Sequence, residues 1–402
     1  MPEVIAYSSL QTTHQWGRPV GDVNGITTSG VSNVEILLLH TRCGLTGVGL
    51  GPHAGIASLF PVIDGQDPRG VAALYDRMIG QVFKAGHAGA IFSAIGAVDM
   101  ALWDLKAQLA DEPLWRHLGG LDRFVPGYAS GVDFGLDEAR FISLHRAFAA
   151  RGFTAVKLKG GADAAHDVSR LKLLREIYAR PGMQPALMLD VNEALAAKEA
   201  VRYVGLIERE IDLTWIEEPV RRWDAPGLAT VRAGVRAAVA TGENLTGIEQ
   251  FAPLLRADAV DVVQTSMVFG ITHFLRVAAA AHLHSLPVSL INYRGNIVAH
   301  AATAVPNHLA CELKELDEQP LGLQLDQQVE DGGLRLGDSA GNGVRVDRRA
   351  IEALMQQRAS DPAARAPKAA HVRAPDAGLR SLRRALSKPD SAPEHNAEGA
   401  PE

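Results

Sequence analysis

The 402-residue chain contains only two cysteines, Cys43 and Cys311. Two thiols make no disulfide framework, and they fit a reducing cytoplasm, where we expect the chain to reside. Long apolar runs are also missing. No uncharged apolar run reaches 18 residues, so no membrane-spanning helix and no membrane partner are expected. The opening "MPEVIAYSSL" lacks a basic segment ahead of an apolar core, so no signal peptide is expected either. Cations are not in surplus. A net charge of −6 provides no general attraction to nucleic acid, which is not expected as a partner.

What is present is the composition of an ordinary globular enzyme-sized protein, 47% hydrophobic and 21% charged. Its texture changes along the chain. Residues 1–122 open with strand-like alternation in "VSNVEILLLHT" (31–41), after a Gly/Thr/Ser-rich stretch, "GDVNGITTSG" (21–30). A helical pattern follows over 90–110, where apolar residues recur at three and four, and glycines mark a stop near 117–120. Residues 123–315 change rhythm. Short apolar runs alternate with amphipathic segments: "VPGYASGV", "AVKLKGG", "ALMLDVN", "LTWIEEP", "AAVATGENL", "VDVVQTS", "LPVSLINY" and "HLACEL". Eight runs at intervals of about 20–30 residues predict a closed parallel (β/α) barrel, and so an α/β fold class. The last interval is the tightest, which leaves room for only a short eighth helix or none. Residues 316–358 follow the barrel. Residues 359–402 are rich in Ala, Pro and Arg with little to bury, and a disordered tail is expected there. Within it, "GLRSLRRALSK" has the pattern of a basic amphipathic helix, for which solvation is the plainer expectation.

In such a barrel, chemistry gathers at the C-terminal ends of the strands. The third predicted strand ends with Asp190 and Asn192, the fourth with Glu217 and Glu218, and the fifth with Glu243. The spacings of 27 (190 to 217) and 26 (217 to 243) are one βα step each. Three carboxylates converging on one rim repel one another unless a cation holds them. All-oxygen ligation suits Mg²⁺ better than Zn²⁺. One strand earlier stand Lys157 and Lys159, two positions apart and therefore on one face, about 7 Å from each other. Barrel strands have no solvated face for such a pair. Mutual repulsion, a neighbouring divalent ion and burial would lower one of these lysines toward ~7–8, where it can act as a base. The other would stay charged and bind an anionic oxygen. A divalent ion and a tuned lysine suit abstraction of the proton α to a carboxylate, with the enediolate charge held on oxygens at the metal.

The ordered set "KLK", "LDVN", "WIEEP" and "GEN", preceded by "AVDMALWDLKAQLADEPLWRHLGG" (97–120), resembles the enolase superfamily, and most closely the mandelate racemase-like subgroup. The resemblance implies a modified TIM barrel under an α+β capping domain formed by residues 1–122, with 316–358 returning to that cap. It implies Asp190, Glu217 and Glu243 as Mg²⁺ ligands, Lys159 as base and Lys157 as the contact to the substrate carboxylate. Glu312 would be the acid that hydrogen-bonds the enediolate. A symmetric homo-oligomer is expected on the same ground.

The pattern also departs from the subgroup. A histidine is usual after the seventh strand, oriented by an aspartate after the sixth. Here Asn292 or Ile291 falls at the first place, and Ser266 or Gln264 at the second. Without that histidine, one face of the planar intermediate has no evident proton donor, so two-base racemisation is disfavoured. Dehydration of a sugar acid by one base is the leading expectation. A cycloisomerase or one-base epimerase is the alternative, and a non-catalytic metal- and carboxylate-binding relative is a third reading. Tyr293 and Arg294 are candidate acid or anion clamp. The cap loops 13–30 and 51–55 are expected to select the small-molecule carboxylate through residues such as Trp16 and His53, the latter a candidate acid.

Overall fold

The computed structural model describes residues 1–360 of the chain; the expected tail helix, "GLRSLRRALSK", lies outside them. The cap begins with β1 (Val4–Gln15), then a short hairpin of β2 (Val20–Asp22) and β3 (Gly25–Thr27), then β4 (Val31–Thr41) and β5 (Thr46–Leu50). Strands β1, β4 and β5 form an antiparallel sheet in that order. Alternation in β4 buries Val34, Ile36 and Leu38 on one face, and Leu37 and Leu39 pack on the other. Three helices cover this sheet: α1 (Ile56–Ile63), α2 (Val71–Gln81) and α3 (Ala90–Leu109). The last coincides, to one residue, with the apolar periodicity over 90–110.

Eight parallel strands follow: β6 (Phe124–Ser130), β7 (Ala155–Lys159), β8 (Ala186–Asp190), β9 (Trp215–Glu217), β10 (Ala238–Thr241), β11 (Val262–Ser266), β12 (Val288–Ile291) and β13 (His308–Leu313). They pair in chain order, and β13 closes on β6 through Cys311, Glu312 and Leu313. This is the expected α/β barrel with an antiparallel-sheet cap. Most of the strands are shorter than the apolar runs in the sequence, several because the backbone leaves the ladder near the polar tip, whereas β13 matches its run. In "LTWIEEP" only Trp215–Glu217 is strand. Between β12 and β13 stands only a four-residue helix, Ala299–Ala302, as the tight last spacing requires. Tyr128, Met188, Trp215, Ala240 and Val262 fill the barrel interior below the rim.

After β13 the chain divides its contacts. A hairpin of Gln327–Glu330 and Gly333–Leu336 pairs antiparallel with β6 of the barrel. Asn342, by contrast, reaches the cap, donating from Nδ2 to the Val48 carbonyl.

Candidate active site

Register brings the chemistry together. Lys159 is paired with Asp190, and Asp190 with Glu217, so one row crosses three neighbouring strands at the rim. The row below it holds Lys157 opposite Met188. The strand bearing the lysines ends abruptly. Gly161 takes φ +97°, a left-handed conformation natural to glycine, and its N–H donates to the Asp167 carboxylate at 2.8 Å.

All of these groups are buried. Lys157 is fully inaccessible and Lys159 is 6% exposed, so neither lysine turns to solvent. Lys157 Nζ lies 2.5 Å from Glu217 Oε1, 2.9 Å from Glu312 Oε1 and 3.5 Å from Asp190 Oδ2. Lys159 Nζ donates to Asp190 Oδ2 at 2.5 Å and approaches Asn192 Oδ1 at 3.3 Å. Glu217 Oε2 accepts from Trp215 Nε1 at 3.1 Å and from Gln264 Nε2 at 2.9 Å. Glu218, just past the strand, accepts from Asn244 Nδ2 at 2.8 Å. Asn192, Glu193 and Glu218 all have positive φ, and such costly backbone conformations gather at functional sites.

The side chains by themselves do not lower either lysine toward ~7–8 as expected. Burial alone would lower both lysines, but the carboxylates win. Glu217 and Glu312 hold Lys157 well above its ordinary value, and Asp190 raises Lys159. Repulsion between the two lysines is present and smaller. The acids are split by the same balance. Burial opposes ionisation of Asp190, but Lys159 and Lys157 bring its carboxyl below the usual range. Burial, then Asp190, pushes Glu217 up to about 8. Burial and the surrounding acids also raise Glu243 and Glu218, with Asn244 partly offsetting the rise at Glu218.

Among the described residues, no three His, Cys, Asp or Glu side chains lie close enough together to enclose an ion as they stand. The two ammonium groups occupy the oxygens of Asp190 and Glu217 instead. The donor set nonetheless suits a hard divalent cation. Asp190 and Glu217 approach within reach of a shared proton, and Glu243 adds its charge to both Glu217 and Glu218. A divalent cation among these buried acids would relieve their mutual repulsion.

The remaining expected residues separate into two groups. Asn292 is 2% exposed, and both of its amide heteroatoms lack a hydrogen-bond partner, the neighbouring Cys311 thiol being a weak one. The Ser130 and Thr241 hydroxyls are likewise buried without partners at the tips of β6 and β10. Arg294 forms an ion pair with Glu315 and stacks over Trp16 at 4.0 Å, with Trp16 Nε1 donating to Ser32. Tyr293 is 39% exposed beside this cluster. His53 is not brought into the lysine–carboxylate group. Its Nδ1 faces the Gly51 carbonyl of its own cap loop at 2.9 Å, and Glu35 lies at 3.9 Å. The β2–β3 hairpin does reach the mouth. Gly21 N donates to the Val132 carbonyl, and Asn24 Nδ2 to the Asn192 carbonyl at 2.9 Å.

Lys314 was not singled out in the sequence, yet it belongs to the site. Its Nζ lies 2.7 Å from Glu312 Oε2 and donates to the Asn292 carbonyl at 2.9 Å. Its signal was the alternation that placed Lys157 beside Lys159: two positions after Glu312, it faces the same side of the chain.

Residues 12–119 match the mandelate racemase/muconate lactonizing enzyme N-terminal domain, and residues 141–350 match the enolase C-terminal domain-like family. The chain belongs to the mandelate racemase/muconate lactonizing enzyme family of the enolase superfamily. Within it, the chain is 33% identical over 293 residues to a 3,6-anhydro-alpha-L-galactonate cycloisomerase of Streptomyces coelicolor, covering 70% of this chain and 78% of that protein. It is 28% identical to the L-talarate/galactarate dehydratase of Salmonella typhimurium, covering 83% of this chain and 86% of the relative. Among solved structures, a racemase from Streptomyces coelicolor with bound magnesium superposes with a TM-score of 0.78 at 28% identity, covering 87% of this chain and 99% of the other. These family relatives are enzymes, and include acid-sugar dehydratases, cycloisomerases and an epimerase. Among the described residues no helix is long and apolar enough to cross a membrane.

Proposed function

We propose that the chain is a Mg²⁺-dependent lyase that removes the proton α to the carboxylate of a sugar acid and eliminates the β-hydroxyl as water. The observation that carries this reading is the buried Lys159 ammonium at the rim, held by Asp190 and Asn192. Asp190, Glu217 and Glu243 would hold the cation, which when bound neutralises charge developing on the substrate carboxylate. Lys159 is the base. An amine can serve as base only when uncharged, so it must first give up its proton and its contact with Asp190. Lys157, between Glu217 and Glu312, is the fixed cation that pairs with a carboxylate oxygen. Glu312 lies on that same oxygen-binding side. The unpartnered Ser130 hydroxyl, opposite Lys157 on the neighbouring strand, suits a hydroxylated substrate, since buried polar groups left unpaired are costly. Trp16, Arg294 and Tyr293 would close the mouth. We assign no acid role to His53.

A second reading is favoured by the relative at 33% identity, a cycloisomerase. The same abstraction would then be followed by ring opening or closure in place of water loss. A merely binding, non-catalytic relative would have no use for a buried lysine pair of this geometry. We further propose a homo-oligomer in the cytoplasm; light scattering should give a multiple of the single-chain mass.

The test is incubation with a library of acid sugars and Mg²⁺ in deuterated water, followed by proton NMR. Loss of the α-proton signal and appearance of a 2-keto-3-deoxy acid are expected. Exchange without water loss would favour the cycloisomerase or epimerase, and no exchange with any acid would sink the proposal.

A further inference from the structure

We propose that Lys314 is the general acid that protonates the departing hydroxyl, the task left open where the seventh strand carries Asn292. This rests on the lyase reading above. The ammonium sits where that donor is required. Lys159 stands on the second stave, whereas Lys314, rooted at the end of the eighth, is held by the main-chain carbonyl of Asn292 on the seventh. The eighth stave closes on the first, which adjoins the second, so the two amines stand on staves two steps apart around the ring and reach one mouth from different directions. Glu312 fixes the arrangement. Its Oε1 lies 2.9 Å from Lys157 and its Oε2 2.7 Å from Lys314, so the two lysines are set on opposite sides of one carboxylate. An ammonium has three N–H donors. The Asn292 carbonyl takes one, and Glu312 Oε2 stands 2.7 Å away as ion-pair partner, which leaves at least one for a substrate oxygen. The side chain is 17% exposed, open enough to meet a ligand and close enough to the rim to be shielded from bulk water.

The step balances without a further reagent. Lys159 takes the α-proton, and the C–H pair becomes the C1=C2 bond of the enediolate. Collapse of the enediolate restores the carboxylate and moves that pair into C2=C3. The C3–O bond breaks with its pair on oxygen, which takes a proton from Lys314 and leaves as water. The resulting enol tautomerises to the 2-keto acid. Solvent then restores a proton to Lys314 and removes one from Lys159.

The test uses the full chain with Mg²⁺ and the acid that turns over best. Lys314→Met keeps much of the stem and removes the charge. Expected are a drop in product formation of at least about 10²-fold and retained α-deuterium exchange, because the base is intact. Lys314→Ala should regain product formation on addition of a small primary amine, with unchanged exchange. If Lys314→Met loses exchange and product formation equally, the residue only organises Glu312 and the proposal fails. Unchanged turnover by a folded variant, checked by near-ultraviolet circular dichroism, also overturns it. Absence of exchange in the unaltered protein would instead overturn the lyase reading, and this assignment with it.

Discussion

At the scale of single residues, the site is a contest for a few carboxylate oxygens. Lys157 and Lys159 hold them in this structure, and a divalent cation would have to displace at least Lys159 from Asp190. Binding of that cation would relieve the repulsion from Asp190 that, after burial, raises Glu217 and Glu243. Millimolar Mg²⁺ is expected to raise the melting temperature by a few degrees, since a ligand at a hundred times its Kd adds about 2.7 kcal/mol. Asp190→Asn should abolish most of that shift, as read by calorimetry. An equal shift in both proteins would count against the assigned ligands. Lys159→Ala should cut α-proton exchange by about 10²–10⁴-fold while leaving the Mg²⁺ shift in place, measured by NMR and calorimetry on one preparation. The carboxylate positions were legible in the sequence because a βα repeat fixes their phase. The lysines' charge state was not, since it depends on which oxygens come within 3 Å of each amine.

At the scale of elements, β5 and α3 are fitted backbone to backbone. A Cβ built on Gly49 would lie 1.9 Å from the Ala97 carbonyl oxygen, and one on Gly47 2.3 Å from that of Ala101. The same helix meets the barrel side at Gly96, where a Cβ would lie 2.2 Å from the Val268 carbonyl oxygen. None of these three neighbours is a flexible tip that can swing away. Gly49→Ala should thus destabilise by about 1–3 kcal/mol, seen in denaturant unfolding, whereas Gly44→Ala at an open turn meets no atom and is limited to the strain of its φ of +89°. The periodicity of 90–110 announced α3 and its length. It was silent on how closely β5 would approach, because that distance is set by the partner strand. The hairpin β2–β3 was read only as a polar, glycine-bearing loop, since three-residue strands carry too little pattern to register.

At the scale of the molecule, cap and barrel are joined by buried acids. Asp99 Oδ2 in α3 accepts from the Thr272 N–H at 2.8 Å, on the barrel side. Asp104 accepts from Val48 N in the cap and from Asn342 N in the segment after the barrel. Burial outweighs these donors and pushes Asp99 up to about 6 and Asp104 up to about 7. Both folded values lie above the unfolded value, near 3.8. The folded state thus binds more protons between about pH 4 and 7, and stability contributed by these groups falls as pH rises through that window. Asp104→Asn should be less stable at every pH, because an amide cannot satisfy all the donors that face it. Its deficit should nonetheless shrink as pH rises from 4 to 7, as followed by thermal melts at several pH values. A constant deficit would mean that burial does not govern this carboxyl.

Order along the chain determined a good deal by itself. Strand period, helix period and the regular spacing between them fixed the barrel, the long helix α3 and the staves that carry Lys157, Lys159, Asp190, Glu217 and Glu243, while the cap followed from the family resemblance. These are local or repeating properties, and covalent geometry transmits them directly. Only the folded chain decided which side chains pair: that Lys159 lies on Asp190, that the Asn292 side chain meets the Cys311 thiol, that His53 turns back into the cap, and that Lys314 crosses from the eighth stave to the seventh. Those outcomes depend on distances of a few ångströms between residues far apart in sequence. Such distances are set by closure of the ring and by burial, to which no single segment is sensitive.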